Sequence, residues 1–96
     1  MTMVRIEQTE KAIKVTGHAV KEVCAMITAM CVAFVHNIQA ETSMDLDYAI
    51  KDGYFYLPLE QFKNKDAFTL MLVRCLQRNL TDLAEDYPSS VQHIRY

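Results

Sequence analysis

Apolar and polar residues alternate along Met3-Val4-Arg5-Ile6-Glu7 and again along Lys11-Ala12-Ile13-Lys14-Val15. A period of two puts Val4, Ile6, Ile13 and Val15 on one side and Arg5, Glu7 and Lys14 on the other. With Gln8-Thr9-Glu10 as a polar break, this predicts a β-hairpin with one dry face and one wet face. From Val20 the period changes. Val20, Val23, Cys24, Ile27, Cys31, Phe34, Val35 and Ile38 fall at helical spacing, which predicts one helix from Ala19 to about Gln39. Its stretch from Cys24 to Val35 is apolar apart from Thr28, too apolar all round for a helix with a solvent face. Such a helix is covered on more than one side, and Met26, Met30 and Ala33, off the main stripe, are the candidates for the extra contact. The apolar stretch itself falls short of the roughly 20 residues a bilayer requires.

Alternation returns from Ser43 to Lys51, with Met44, Leu46, Tyr48 and Ile50 facing one way. Asp52-Gly53 is a strong two-residue hairpin turn. Tyr54 to Leu59 forms the return strand, with Phe55, Leu57 and Leu59 on the dry face and Pro58 at an edge or strand end. After the polar connection Gln61 to Lys65, capped by Asn64 or Asp66, the residues Phe68, Leu72, Leu76, Leu80, Leu83 and Tyr87 predict a second helix that Pro88 ends. Val91 to Arg95 alternates weakly as a short last strand. The order β-β-α-β-β-α predicts an α+β fold: a two-layer sandwich with two helices on one face of a mostly antiparallel sheet.

Composition sharpens this reading. The chain has 96 residues, with only two Gly and two Pro, which predicts a single domain over 1–96. A net charge of −2 and the lack of a basic stripe argue against nucleic acid or an anionic membrane as partner. Three Cys, an odd number on helix faces, predict free thiols rather than a disulfide framework, with Cys31 and Cys75 as core thiols. The opening Met1-Thr2-Met3-Val4-Arg5 leads straight into a strand without a secretory pattern, and the expected compartment is the cytosol. No CxxC spacing occurs, and His18, His36 and His93 are scattered, so neither a metal nor a cofactor is expected. Asp45 and Asp47 share a strand face and read as solvated charges. His36 reads as structural near a helix end, and His93 has no site.

The candidate chemistry lies where strand gives way to helix. His18 follows the strand end at Gly17, and Cys24 falls in the first turns of the helix. A helix N-terminus and a neighbouring imidazolium both lower a thiol's pKa, and a neutral imidazole takes its proton. The plain alternative is that Cys24, on the apolar stripe, fills space, and that His18 is a turn residue.

Gly17-His18-Ala19 followed by Val23-Cys24-Ala25 at a helix start resembles the ribosomal-processing cysteine proteases of Firmicutes and their phage-encoded relatives. The resemblance continues through Asp52-Gly53-Tyr54 between two strands and through Ala84-Glu85-Asp86-Tyr87-Pro88, in the family's order over nearly the whole chain. It implies Cys24 as nucleophile, His18 as base, and Gly17 and Ala19 as substrate contacts. It also implies a homodimer whose substrate is a protein or peptide, either the N-terminal extension of a large-subunit ribosomal protein or a phage capsid or scaffold precursor. The chain departs from the family where His meets Cys. The family's connection there is longer and carries a Gly and an Asp, whereas here Val20-Lys21-Glu22-Val23 is all that remains and Lys21 stands at the Asp position.

Two functions follow. One is a cysteine endopeptidase working as a dyad, with backbone N–H groups at the helix start holding the oxyanion and an extended peptide, of the kind that adds at a sheet edge, as substrate. The other is a non-catalytic dimeric interaction module that kept the protease fold and lost the substrate-shaping loop.

Overall fold

A computed structural model describes residues 3–95 of the chain. Met1 and Thr2, at the head of the expected leaderless start, lie outside the described residues. The elements are β1 (Val4–Gln8), β2 (Ala12–Gly17), α1 (Lys21–Glu41), β3 (Ala49–Lys51), β4 (Tyr54–Pro58), α2 (Ala67–Asp86) and β5 (Val91–Arg95). The strands form one sheet in the order β3-β4-β2-β1-β5, antiparallel except for the parallel pair of β1 and β5. This is the expected α+β sandwich, with the last strand present.

Register follows from the alternation. Ile6 faces Val15 and Val15 faces Phe55, while Ile13 faces Leu57. These side chains, with Val4, form one buried face. The opposite face carries Arg5, Glu7 and Lys14, and there Arg5 pairs with Glu7 at 3.5 Å and the Lys51 ammonium lies 5.6 Å from the Tyr54 ring centre. Both helices cover the dry face. α1 buries Val23, Ile27, Cys31, Phe34, Val35 and Ile38 on it. By length and composition α1 is also long and apolar enough to cross a bilayer, because the flanking turns add to its apolar middle. Here the stripe from Val23 to Ile38 lies in the core, and 33% of the apolar span as a whole is buried.

Several details differ from the sequence reading. β3 is three residues long rather than running from Ser43, because Pro58 ends β4. Beyond it the Gln61 side chain takes over the pairing: its oxygen accepts the Asp47 N–H at 2.8 Å and its amide donates to the Asp47 and Pro58 carbonyls. The connection after β4 is not purely polar, for a 3₁₀ turn, Glu60–Phe62, drives Phe62 into the core edge-on to Phe34 at 6.3 Å. In α2 the buried stripe begins at Thr69 and Val73, leaving Phe68 and Tyr87 exposed. Asp66 is the cap, accepting the Thr69 N–H. Gln8, expected in a polar break, is the last residue of β1 and is buried.

Candidate active site

The site is built at the end of β2. Gly17 has φ +97°, and a β-carbon there would stand 2.6 Å from the Met3 carbonyl oxygen, so only glycine fits. Its N–H donates to the Gly53 carbonyl at 3.0 Å, which ties the strand end to the β3–β4 turn. His18 follows, exposed, with its ring against Gly53. Gly53 has φ +69°, and a β-carbon there would meet the His18 ring at 2.5 Å from Nε2. The Asp-Gly turn read from the sequence thus also forms the wall behind the imidazole, a role that a turn motif does not announce.

Ala19 is half-buried, and Val20 is the N-cap of α1 without a side-chain cap bond. Cys24 therefore lies one turn into the helix rather than at its first residue. Its Sγ accepts the Ala19 N–H at 3.3 Å, and the thiol donates to the Ala19 carbonyl at 3.6 Å. The Val23 and Cys24 N–H groups both donate to the Val20 carbonyl at 3.1 Å. Of the first-turn amides, those of Lys21 and Glu22 remain without an intrahelical acceptor.

His18 and Cys24 border one cleft of about 260 Å³ between the α1 start and the β3–β4 hairpin. Ile27, Ile50 and Phe55 make its apolar wall, and Lys51 and Asp52 stand at its rim. Gly17 belongs to the same lining. Among the described residues no hydrogen bond joins His18 to Cys24, whose sulfur is held by Ala19 instead. Cys31 forms part of the floor, and burial pushes its thiol up to about 12, which keeps it protonated and inert.

The remaining candidates lie elsewhere. Cys75 is exposed rather than in the core: the buried side of α2 passes through Val73 and Leu76, and Cys75 borders a groove with Met30, Ala33 and Leu72 between the helices. Asp45 and Asp47 are exposed, and no group of metal-ligating side chains forms among the described residues. His93 joins a small polar cluster that spacing alone does not reveal. The Gln8 amide lies 3.1 Å from His93 Nε2 and donates to Thr81 Oγ1 at 3.1 Å and to the Gln77 carbonyl at 3.3 Å. Burial, and then the nearby Arg95, hold His93 below the ordinary imidazole range, against a smaller opposing pull from Glu85.

No family model matches the chain, and no curated protein matches it in sequence. Solved structures do match. The ribosomal processing protease Prp from S. aureus, in complex with a covalently linked product peptide, superposes with a TM-score of 0.76 at 20% identity, covering 100% of both chains. The same enzyme with a substrate peptide gives 0.76 at 18% identity, again over 100% of both chains. A protein from Streptococcus mutans gives 0.73 at 22% identity, covering 99% of this chain and 93% of the other. The chain therefore has the fold of the ribosomal processing protease.

Proposed function

We propose that this chain is a cysteine endopeptidase of the ribosomal-processing type, with Cys24 as nucleophile and His18 as general base. The observation that carries the reading is the shared cleft: a strand-end imidazole and a helix-borne thiol face the same apolar space on a fold known from a peptide-cleaving enzyme. The Ala19 N–H fixes Sγ beside the cleft. In the reaction His18 takes the thiol proton and Sγ attacks the scissile carbonyl carbon. The oxyanion forms near the unpaired Lys21 and Glu22 amides at the positive end of α1. The imidazolium returns its proton to the leaving amine, and water then hydrolyses the thioester. The substrate is the extended N-terminal segment of a protein precursor, of ribosomal or phage origin, cleaved in the cytoplasm. Gly17 and Ala19 contact it beside the thiol. A homodimer is part of the same reading.

One observation favours the second reading, a binding module on the same fold. Cys24 Sγ is engaged by Ala19, and its own N–H is consumed inside α1. The rate of iodoacetamide alkylation of Cys24 between about pH 6 and 8, below and around the ordinary thiol pKa, separates the two. Peptide mass spectrometry reads each thiol, with exposed Cys75 as the accessible reference and buried Cys31 as the protected one. A dyad gives Cys24 at least tenfold faster than Cys75 near pH 6.5, slowing to the Cys75 rate in His18→Ala. Equal rates for Cys24 and Cys75, unaffected by His18→Ala, end the peptidase reading and leave the binding module.

A further inference from the structure

The sheet has a free edge beside the cleft, and the hydrogen-bond parity along it is fixed by the neighbouring strands. The Gly17 N–H donates to the Gly53 carbonyl. Bonded pairs alternate along an antiparallel ladder, so Val15 and Phe55 are the next bonded pair and the main-chain groups of Phe55 point to β2. Its partner on the other side, Ile50, therefore sits at a non-bonded position, with its N–H and C=O turned away from β4. Lys51 and Ala49 pair inward with Tyr54 and Tyr56, and Asp47 turns inward to the Gln61 side chain. By this parity the main-chain groups of Tyr48 and Ile50 are left facing outward, and outside the ladders neither residue makes a main-chain hydrogen bond among the described residues.

Natural sheets protect such edges with charge, proline, a bulge or a covering segment. This one is not protected at its centre: Ile50 is 40% exposed, and it lines the same cleft as His18 and Cys24. The charged Asp47 and Lys51 alternate with Tyr48 and Ile50 and so belong to the opposite face of the sheet. The Gln61 side chain ties Asp47 to the Pro58 carbonyl where the regular ladder has ended.

We infer that this edge adds an extended peptide as a further strand, bonded to the N–H and C=O groups of Tyr48 and Ile50, and leads it to Cys24. The occupant is the substrate chain, so the inference rests on the peptidase reading for what happens next but not for binding itself. Alternate side chains of the added strand enter the wall made by Ile50, Phe55 and Ile27. Selectivity then comes from main-chain shape and one apolar side chain rather than from charge.

The test uses ¹⁵N-labelled full-length Cys24→Ser protein, which cannot cleave, so binding and catalysis are read apart. The probe is a pool of nine-residue peptides in which Thr alternates with an equimolar mixture of Leu, Ile, Val and Phe. Millimolar pool is expected to shift the Tyr48 and Ile50 amides and slow their exchange at least tenfold, leaving β5, the other sheet edge, unchanged. Ile50→Pro removes one outward N–H without touching a ladder bond, and it weakens binding at least tenfold while the β4 amides keep their shifts. A pool N-methylated at every residue, which has no N–H on either edge, does not bind. Shifts at β5 instead, binding untouched by Ile50→Pro, or no response at Ile50 overturns the inference. So does a dependence of the Ile50 shift on protein concentration without peptide, which assigns the edge to a second copy. If Cys24 proves unreactive while the pool still binds, the edge stands and the peptidase reading falls.

Discussion

A β-carbon on Gly53 would stand 2.5 Å from Nε2 of His18. The glycine that permits the hairpin turn is also the one that gives the imidazole its place, and two substitutions separate these roles. Gly53→Ala strains the turn, since φ +69° costs a non-glycine residue roughly 1–2 kcal/mol, and it also pushes on the ring. Gly53→Asn tolerates the backbone better but keeps the β-carbon. The expected outcome is a Tm drop for the alanine variant and a smaller one for the asparagine variant, with both losing the His18-dependent reactivity of Cys24. An asparagine variant whose Cys24 still reacts as in the parent protein shows that the ring has room to shift without consequence.

The three thiols are in three environments, and each sets a rate. Cys75 is exposed, and Cys31 is both buried and held protonated by that burial, with its thiol near 12. Ellman's reagent at pH 8 is expected to consume Cys75 within the first phase in Cys24→Ser protein. Cys31 is expected to react only at the rate at which the domain opens, and immediately in denaturant. Prompt reaction of Cys31 in native protein contradicts its place on the buried face of α1.

Much of this architecture is legible in the chain because its periods are clean. Val4, Ile6, Ile13 and Val15 alternate as a half-buried hairpin must, and they form the inner face of β1 and β2. The connections were less legible, because long-range partners decide them. Phe62 sits among Gln61, Lys63 and Asn64, and its burial against Phe34 depends on a residue far away in sequence. Cys75 lies between the buried Val73 and Leu76, and one step of about 100° around a helix carries it to the surface. At the site, the strand-end His18 and the helical Cys24 could be placed from spacing. The Gly53 wall, the Ala19 contact to sulfur and the Gln61 clamp could not, since each is a contact between backbone and a side chain that no period encodes.

Val20 is a poor start for α1. It has the extended conformation of an N-cap, φ −60° and ψ 150°, but no side-chain oxygen, and it is 53% exposed. Val20→Ser supplies an acceptor for the first-turn amides and is expected to stabilise the domain by about 1 kcal/mol. For a chain of this size that raises Tm by roughly 4–8 °C. The same hydroxyl competes for the Glu22 amide assigned to the oxyanion, so a gain in Tm together with a loss of turnover is expected. A gain in Tm with undiminished turnover removes that amide from the mechanism.

His93 makes stability depend on pH in a definite direction. Its Nε2 stands 3.1 Å from the Gln8 amide nitrogen, which donates to the Thr81 hydroxyl and the Gln77 carbonyl as well. Toward that amide the ring acts as an acceptor, which requires it to be neutral. Burial and then Arg95 disfavour the charged ring, against Glu85, and the folded-state pKa lies below the ordinary value of 6.5. The unfolded chain therefore binds the proton first as pH falls. Stability contributed by the neutral ring is complete above about pH 6.5 and declines below it, until the folded-state pKa is passed. His93→Gln offers Gln8 an acceptor that does not titrate. Urea unfolding at about pH 7.5 and 5.5 is expected to show a loss of stability in the parent protein that shrinks in His93→Gln. Equal losses in the two proteins place the pH dependence on other groups.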